Sequence, residues 1–135
     1  MPVVIAETTK QFGRYLLNAR DQNLVADATT SRGGPGEAWV AVELMLAGLI
    51  TCAQAVIESV AREQNLPLRH SRVRAESETD QNNTTHFEFI KLDFTLEGVD
   101  QAQAESLVAA YQQSCPIYGS LSRGAPVSVE VTAVP

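Results

Sequence analysis

An α+β fold is predicted for this 135-residue sequence by three observations: two pairs of β-compatible runs each closed by a polar turn, two helical segments set apart from them, and no internal repeat. The expected order is ββ-α-ββ-α-β. The length suits one hydrophobic core rather than two, so a single domain over residues 1–135 is expected.

The first pair of strands is read from "GRYLLN" and "NLVADA" around the polar "ARDQ", an early hairpin. "TTSRGGPGE" then breaks regular structure through its Gly and Pro content. Its "GGPG" lacks the spacing of a nucleotide-binding glycine motif and reads as a connecting loop. From about residue 38 to 65 the chain is rich in Ala, Leu and Met, and Asn65 and Pro67 are stop signals, so one long helix is expected. Its first half is apolar on nearly every face and requires cover on most sides. One small sheet covers one face, which leaves part of that cover to a second chain.

"RHSRVRAESE" and "HFEFIKLDFTLEG", joined by "TDQNNTT", form the second expected hairpin. Arg69, Arg72 and Arg74 belong to its solvated face. In the second run the apolar phase changes near Ile90 and Lys91, as a bulge would cause. "DQAQAESLVAAYQQS" is the second helix, with Asp100 as N-cap and Gln103 completing a capping box. It stops at Cys115, since the residue before a proline leaves the helical region. "PVSVEVTAV" ends the pattern as a strand with Val127, Val129 and Val131 on one face.

Composition narrows the function classes. Ten Lys and Arg against 16 Asp and Glu leave a net charge of −6 with no basic block, which argues against nucleic acid as a partner. The stretch "AWVAVELMLAGLITCAQAVI" has the length of a membrane span, but Glu43 and Gln54 are costly in lipid and the basic flanks are missing. A buried helix, and no membrane, is the expectation. "MPVVIAETTKQFGRY" has no secretory pattern, so a cytoplasmic location is expected, where cysteines are free thiols or a redox pair.

The chemistry rests on Cys52 and Cys115. A mid-helix Cys52 in apolar surroundings packs as a small hydrophobe and is inert unless a cation approaches it. Cys115, at a helix C-terminus, suits resolving better than attack, because the dipole there disfavours a thiolate. Zinc needs about four converging ligands, and two cysteines with His70 and His86 lack close metal-ligand spacing, so no metal or cofactor is expected. Pairing Cys52 with His86 as a hydrolase lacks a third group.

With "VELMLAGLITC", "CPIY" and this element order in view, the chain resembles the OsmC/Ohr family of osmotically induced and organic hydroperoxide resistance proteins. The resemblance spans about residues 12 to 132. It implies an intertwined homodimer with the long helices packed centrally, in line with the cover that helix requires. It also implies a thiol-dependent peroxidase acting on organic hydroperoxides. Cys52 would attack the peroxide and become a sulfenic acid, Cys115 would condense with it to a disulfide, and a dithiol would reduce that disulfide. Glu43 matches the family's glutamate, although "AVELM" stands where hydroperoxide-specialised members carry Asn-Pro-Glu-Gln-Leu. Nine residues on a continuous helix turn Glu43 about 180° from Cys52 and about 13 Å along the axis, so Glu43 would act from a break before the helix proper, from the other subunit, or not at all, and its role would be to orient an arginine. Arg20 in "NARDQN" is the nearest match to the family's catalytic arginine, with Arg14, Arg32 and Arg123 as alternatives. The rival expectation is a non-enzymatic dimer of the same fold that binds a small apolar ligand.

Overall fold

The computed structural model describes residues 1–135, which form two compact units, Met1–Met45 and Leu46–Pro135. In the first unit, β1 (Ile5–Thr8), β2 (Arg14–Ala19) and β3 (Gln22–Asp27) make an antiparallel sheet in that order. The expected hairpin is β2–β3. Its two-residue turn is Arg20–Asp21, with Arg20 in the left-handed region at φ 55°. β1 was not expected: "IAET" is too short for its period to register, and all four of its residues are exposed.

The glycine-rich segment is a connecting loop, as expected, with a single 3-10 turn at Thr30–Arg32. Gly34 packs so closely on the Ala28 carbonyl that a Cβ there would collide with it, which explains glycine at that position. The loop ends at Trp39, whose carbonyl accepts from Asp27 N at 2.8 Å and which bridges Ala26 in parallel. Helix α1 (Ala41–Glu63) therefore starts three residues later than expected, because the backbone of residue 39 is committed to β3.

α1 continues into the second unit, where its buried residues Leu49, Ala53, Ile57 and Ala61 recur every four positions and form one stripe. β4 (His70–Thr79) and β5 (Phe87–Glu97) are the second hairpin. The register shift beside Glu78 and Thr79 skips Glu88, so the bulge lies before Phe89 rather than near Ile90 and Lys91. From Phe89 to Glu97 the ladder is unbroken, with Ile90, Leu92, Phe94 and Leu96 on the buried face and Phe89 on the face of Lys91 and Asp93. The opposite face of β5 carries paired charges: Lys91 bridges Asp93 and Glu130, and Arg74 bridges Glu76 and Asp93.

α2 (Gln101–Ser114) opens with the expected capping box, Asp100 Oδ1 accepting from Gln103 N at 2.8 Å and Gln103 Oε1 accepting from Asp100 N at 3.0 Å. A short α3 (Pro116–Ser122) follows and was not expected. Pro116 is a stop signal in sequence, yet proline is equally suited to the first turn of a new helix. β6 (Val127–Val134) pairs in parallel with β5, completing a sheet of order β4-β5-β6. The fold is α+β, with one more strand and one more helix than the sequence pattern indicates.

Candidate active site

Cys52 lies on α1 three residues after Leu49 and one before Ala53, at the border of the buried stripe, and it is half-buried. Cys115 joins two helices. Its φ of −85° and ψ of 116° are the extended geometry that a following proline enforces. Its N–H donates to Tyr111 O at 3.0 Å as the C-cap of α2, and its carbonyl accepts from Gly119 N at 2.9 Å inside α3. Its sulfur accepts from Tyr118 N at 3.4 Å as the N-cap of α3. The expectation that Cys115 feels only a helix C-terminus is corrected here: a second helix begins on the same residue.

The two sulfurs are 2.6 Å apart, across 62 intervening residues of sequence. Three aromatic rings pack together at the junction of α2 and α3. Tyr111 is fully buried, meets Tyr118 edge-on at a centroid distance of 5.3 Å, and meets Phe94 at 6.0 Å. The Tyr111 hydroxyl donates to Leu49 O at 3.2 Å, and Tyr118 Oη accepts from Gln112 Nε2 at 2.9 Å. On the β4 side, Gln54 Nε2 donates to Ser71 O at 3.2 Å.

Burial, and after it the neighbouring Cys115, push the Cys52 thiol up to about 11. No cation contributes to that shift, and Arg123, the candidate arginine of this unit, is exposed at the end of α3. Burial, followed by the two cysteines, likewise raises the Tyr111 phenol above its ordinary range. His86 is held in its own loop, Nδ1 lying 2.8 Å from Asn83 Nδ2 and 2.9 Å from Thr85 Oγ1, and it makes no bond to Cys52.

The supporting residues named from the sequence lie in the first unit. Arg20 is exposed in the β2–β3 turn and forms no ion pair there. Glu43 is exposed in the first turn of α1, on the helix proper rather than on a break preceding it. Of the candidate arginines, Arg14 is the one in ion pairs. Its Nε and Nη2 donate to the two oxygens of Asp27 at 2.8 and 2.9 Å, and Nη2 reaches Glu37 at 3.3 Å. The Asp27 side chain is fully buried and also accepts Glu37 N at 3.0 Å and Ala38 N at 2.8 Å. Sequence reasoning missed this cluster. Its one trace was the register of the hairpin, which sets Arg14 opposite Asp27.

A family model described as OsmC-like protein matches residues 34–130. The chain belongs to the OsmC-like family. Solved structures of that fold agree with it over nearly the whole length. An OsmC-like protein from Mycoplasma pneumoniae is 14% identical at a TM-score of 0.87, covering 100% of this chain and 98% of its own. An organic hydroperoxide resistance protein OsmC from Legionella pneumophila is 23% identical at 0.79, covering 98% and 96%. A putative organic hydroperoxide resistance protein from Vibrio cholerae, with captopril bound in one of its active sites, is 22% identical at 0.72, covering 97% and 90%. At these identities the likeness shows the OsmC fold alone. A comparison with curated proteins found no significant match.

Proposed function

We propose that this OsmC-like chain is a thiol-dependent peroxidase of organic hydroperoxides, with Cys52 attacking and Cys115 resolving. The observation that carries this reading is the pair of free sulfurs 2.6 Å apart, with Cys52 the more exposed of the two. Membership of a family whose fold neighbours include proteins named for organic hydroperoxide resistance supports the redox assignment.

In the proposed cycle the Cys52 thiolate attacks one peroxide oxygen, an S–O bond forms, the O–O bond breaks, and the departing alkoxide takes a proton to leave as an alcohol. Cys115 then attacks the sulfenic sulfur. An S–S bond replaces the S–O bond, and hydroxide leaves as water with the Cys115 proton. A dithiol reductant reverses the disulfide by exchange and is itself oxidised to a disulfide.

The first step needs a thiolate, and a thiol pushed up to about 11 is almost wholly neutral at pH 7. A cation must therefore approach Cys52 in the working assembly, and Arg20, oriented by Glu43, is the proposed donor.

The proposed assembly is a homodimer of single OsmC-like domains in the reducing cytoplasm. α1 has the length and composition of a membrane span, yet only 22% of its most apolar stretch is buried within the chain. In the first unit Ile5, Leu16, Leu24, Val25 and Trp39 are exposed as well. A second copy that covers residues 38–57 accounts for the uncovered apolar surface of α1.

The decisive experiment supplies an organic hydroperoxide and a dithiol, follows peroxide consumption, and maps cysteine-containing peptides after one equivalent of peroxide. Turnover together with a Cys52–Cys115 disulfide is expected. Free Cys52 after oxidation sinks the proposal. The raised, neutral Cys52 thiol favours the second reading, a dimer that binds a small apolar ligand and leaves both thiols reduced.

A further inference from the structure

One residue bonds to both cysteine-bearing elements. The Tyr111 hydroxyl donates to Leu49 O, one helical turn before Cys52 on α1, while the Tyr111 carbonyl accepts the Cys115 N–H at the end of α2. The ring between these two attachments is fully buried and is wedged by Phe94 and Tyr118. The side chain is thus anchored at one end on α2 and held at its hydroxyl by a carbonyl 62 positions away in sequence. A phenylalanine at this position would fill the same space, so packing alone does not account for the hydroxyl.

We infer that Tyr111 is the positioning residue of the Cys52–Cys115 pair, its hydroxyl holding α1 against α2 so that the two sulfurs meet. The inference rests on the proposed dithiol–disulfide cycle and names the residue that sets its equilibrium. Cross-linking is favoured by the effective concentration of one thiol at the other, which falls when the two elements are free to separate. The Leu49 carbonyl is already an acceptor within the helical ladder of α1, so loss of the tyrosine hydroxyl orphans no buried group and leaves the fold intact.

The test is Tyr111→Phe in the full chain, equilibrated with glutathione and glutathione disulfide. Two protein thiols and one glutathione disulfide exchange for one protein disulfide and two glutathione thiols, so the equilibrium constant reads the effective concentration directly. The expected result is a constant lowered about fivefold, the scale of one net hydrogen bond, and recovery of the parent value by no other phenylalanine substitution in the cluster, such as Tyr118→Phe added to it. Val99→Ala is the control for general destabilisation, because Val99 is buried but touches neither cysteine element by hydrogen bond. It should lower the urea midpoint and leave the glutathione equilibrium unchanged. A parent-like constant for Tyr111→Phe, or an equal fall in Val99→Ala, overturns the inference. A parent chain that forms no Cys52–Cys115 disulfide with either peroxide or glutathione disulfide instead overturns the proposed function, and the inference with it.

Discussion

Asp27 and Cys52 are both ionisable groups removed from water, and they are accommodated in opposite ways. Asp27 is buried as a charge: Arg14 holds both carboxylate oxygens and two backbone N–H groups complete the shell, which keeps the carboxyl well below its ordinary range. Cys52 is half-buried as a neutral thiol, with another thiol as its partner and no cation to favour its charged form. The difference teaches where electrostatic work is done. The guanidinium of Arg14 is committed to carboxylates that fasten the loop leading into α1, so it is not a free cation.

The strongest way to break this comparison is to remove the sulfur. Cys52→Ser should lower peroxide reduction at least a hundredfold in a dithiol-coupled assay, as loss of a nucleophile does, with the circular dichroism spectrum unchanged. Next in size is Arg20→Ala, for which a roughly tenfold loss in both peroxide reduction and neutral-pH alkylation is expected if that guanidinium supplies the missing cation. The alkylation pH profile of the parent sharpens the same point. The proposed function predicts a midpoint well below 9, whereas a midpoint near 11 means that Cys52 stays as neutral in solution as its surroundings make it.

Asp27→Ala tests the other side of the comparison. It leaves Arg14 and two backbone donors without their acceptor, and the urea midpoint should fall further than for any surface pair. The Asp27 carboxyl has a folded pKa below its unfolded value, so its contribution is fully present above the ordinary carboxylate range. It is lost as pH falls from about 4 toward the depressed folded value. Acid unfolding of Asp27→Ala should accordingly be less steep than that of the parent. The smallest effect is expected for Arg74→Ala, which removes an exposed pair on the outer face of β4–β5 and should leave the midpoint nearly unchanged.

Those parts of the fold that follow from period and capping were legible in the sequence: the β2–β3 and β4–β5 hairpins, α1, and α2 with its Asp100–Gln103 box. A bulge in β5 was legible too, but it falls at Glu88 and not near Ile90 and Lys91, where the ladder is unbroken. What escaped depended on partners far along the chain. β1 is recognisable only through its pairing with β2, and the ionised Asp27 only through the register that sets it opposite Arg14. α3 escaped for a local reason, since Pro116 both ends one helix and begins the next. Both cysteines were visible as residues. That their sulfurs meet is a property of how α2 docks on α1, which no local pattern encodes.

The parallel pairing of β5 with β6 has a kinetic consequence. Ile90 finds Val127 only after the whole crossover containing α2 and α3 has been laid down, so this ladder demands a long loop closure before any of its hydrogen bonds forms. Cys115 rides on that crossover. The thiols should therefore become neighbours late in folding, and the first appearance of a cross-linkable pair in a refolding experiment would time the closing of the sheet.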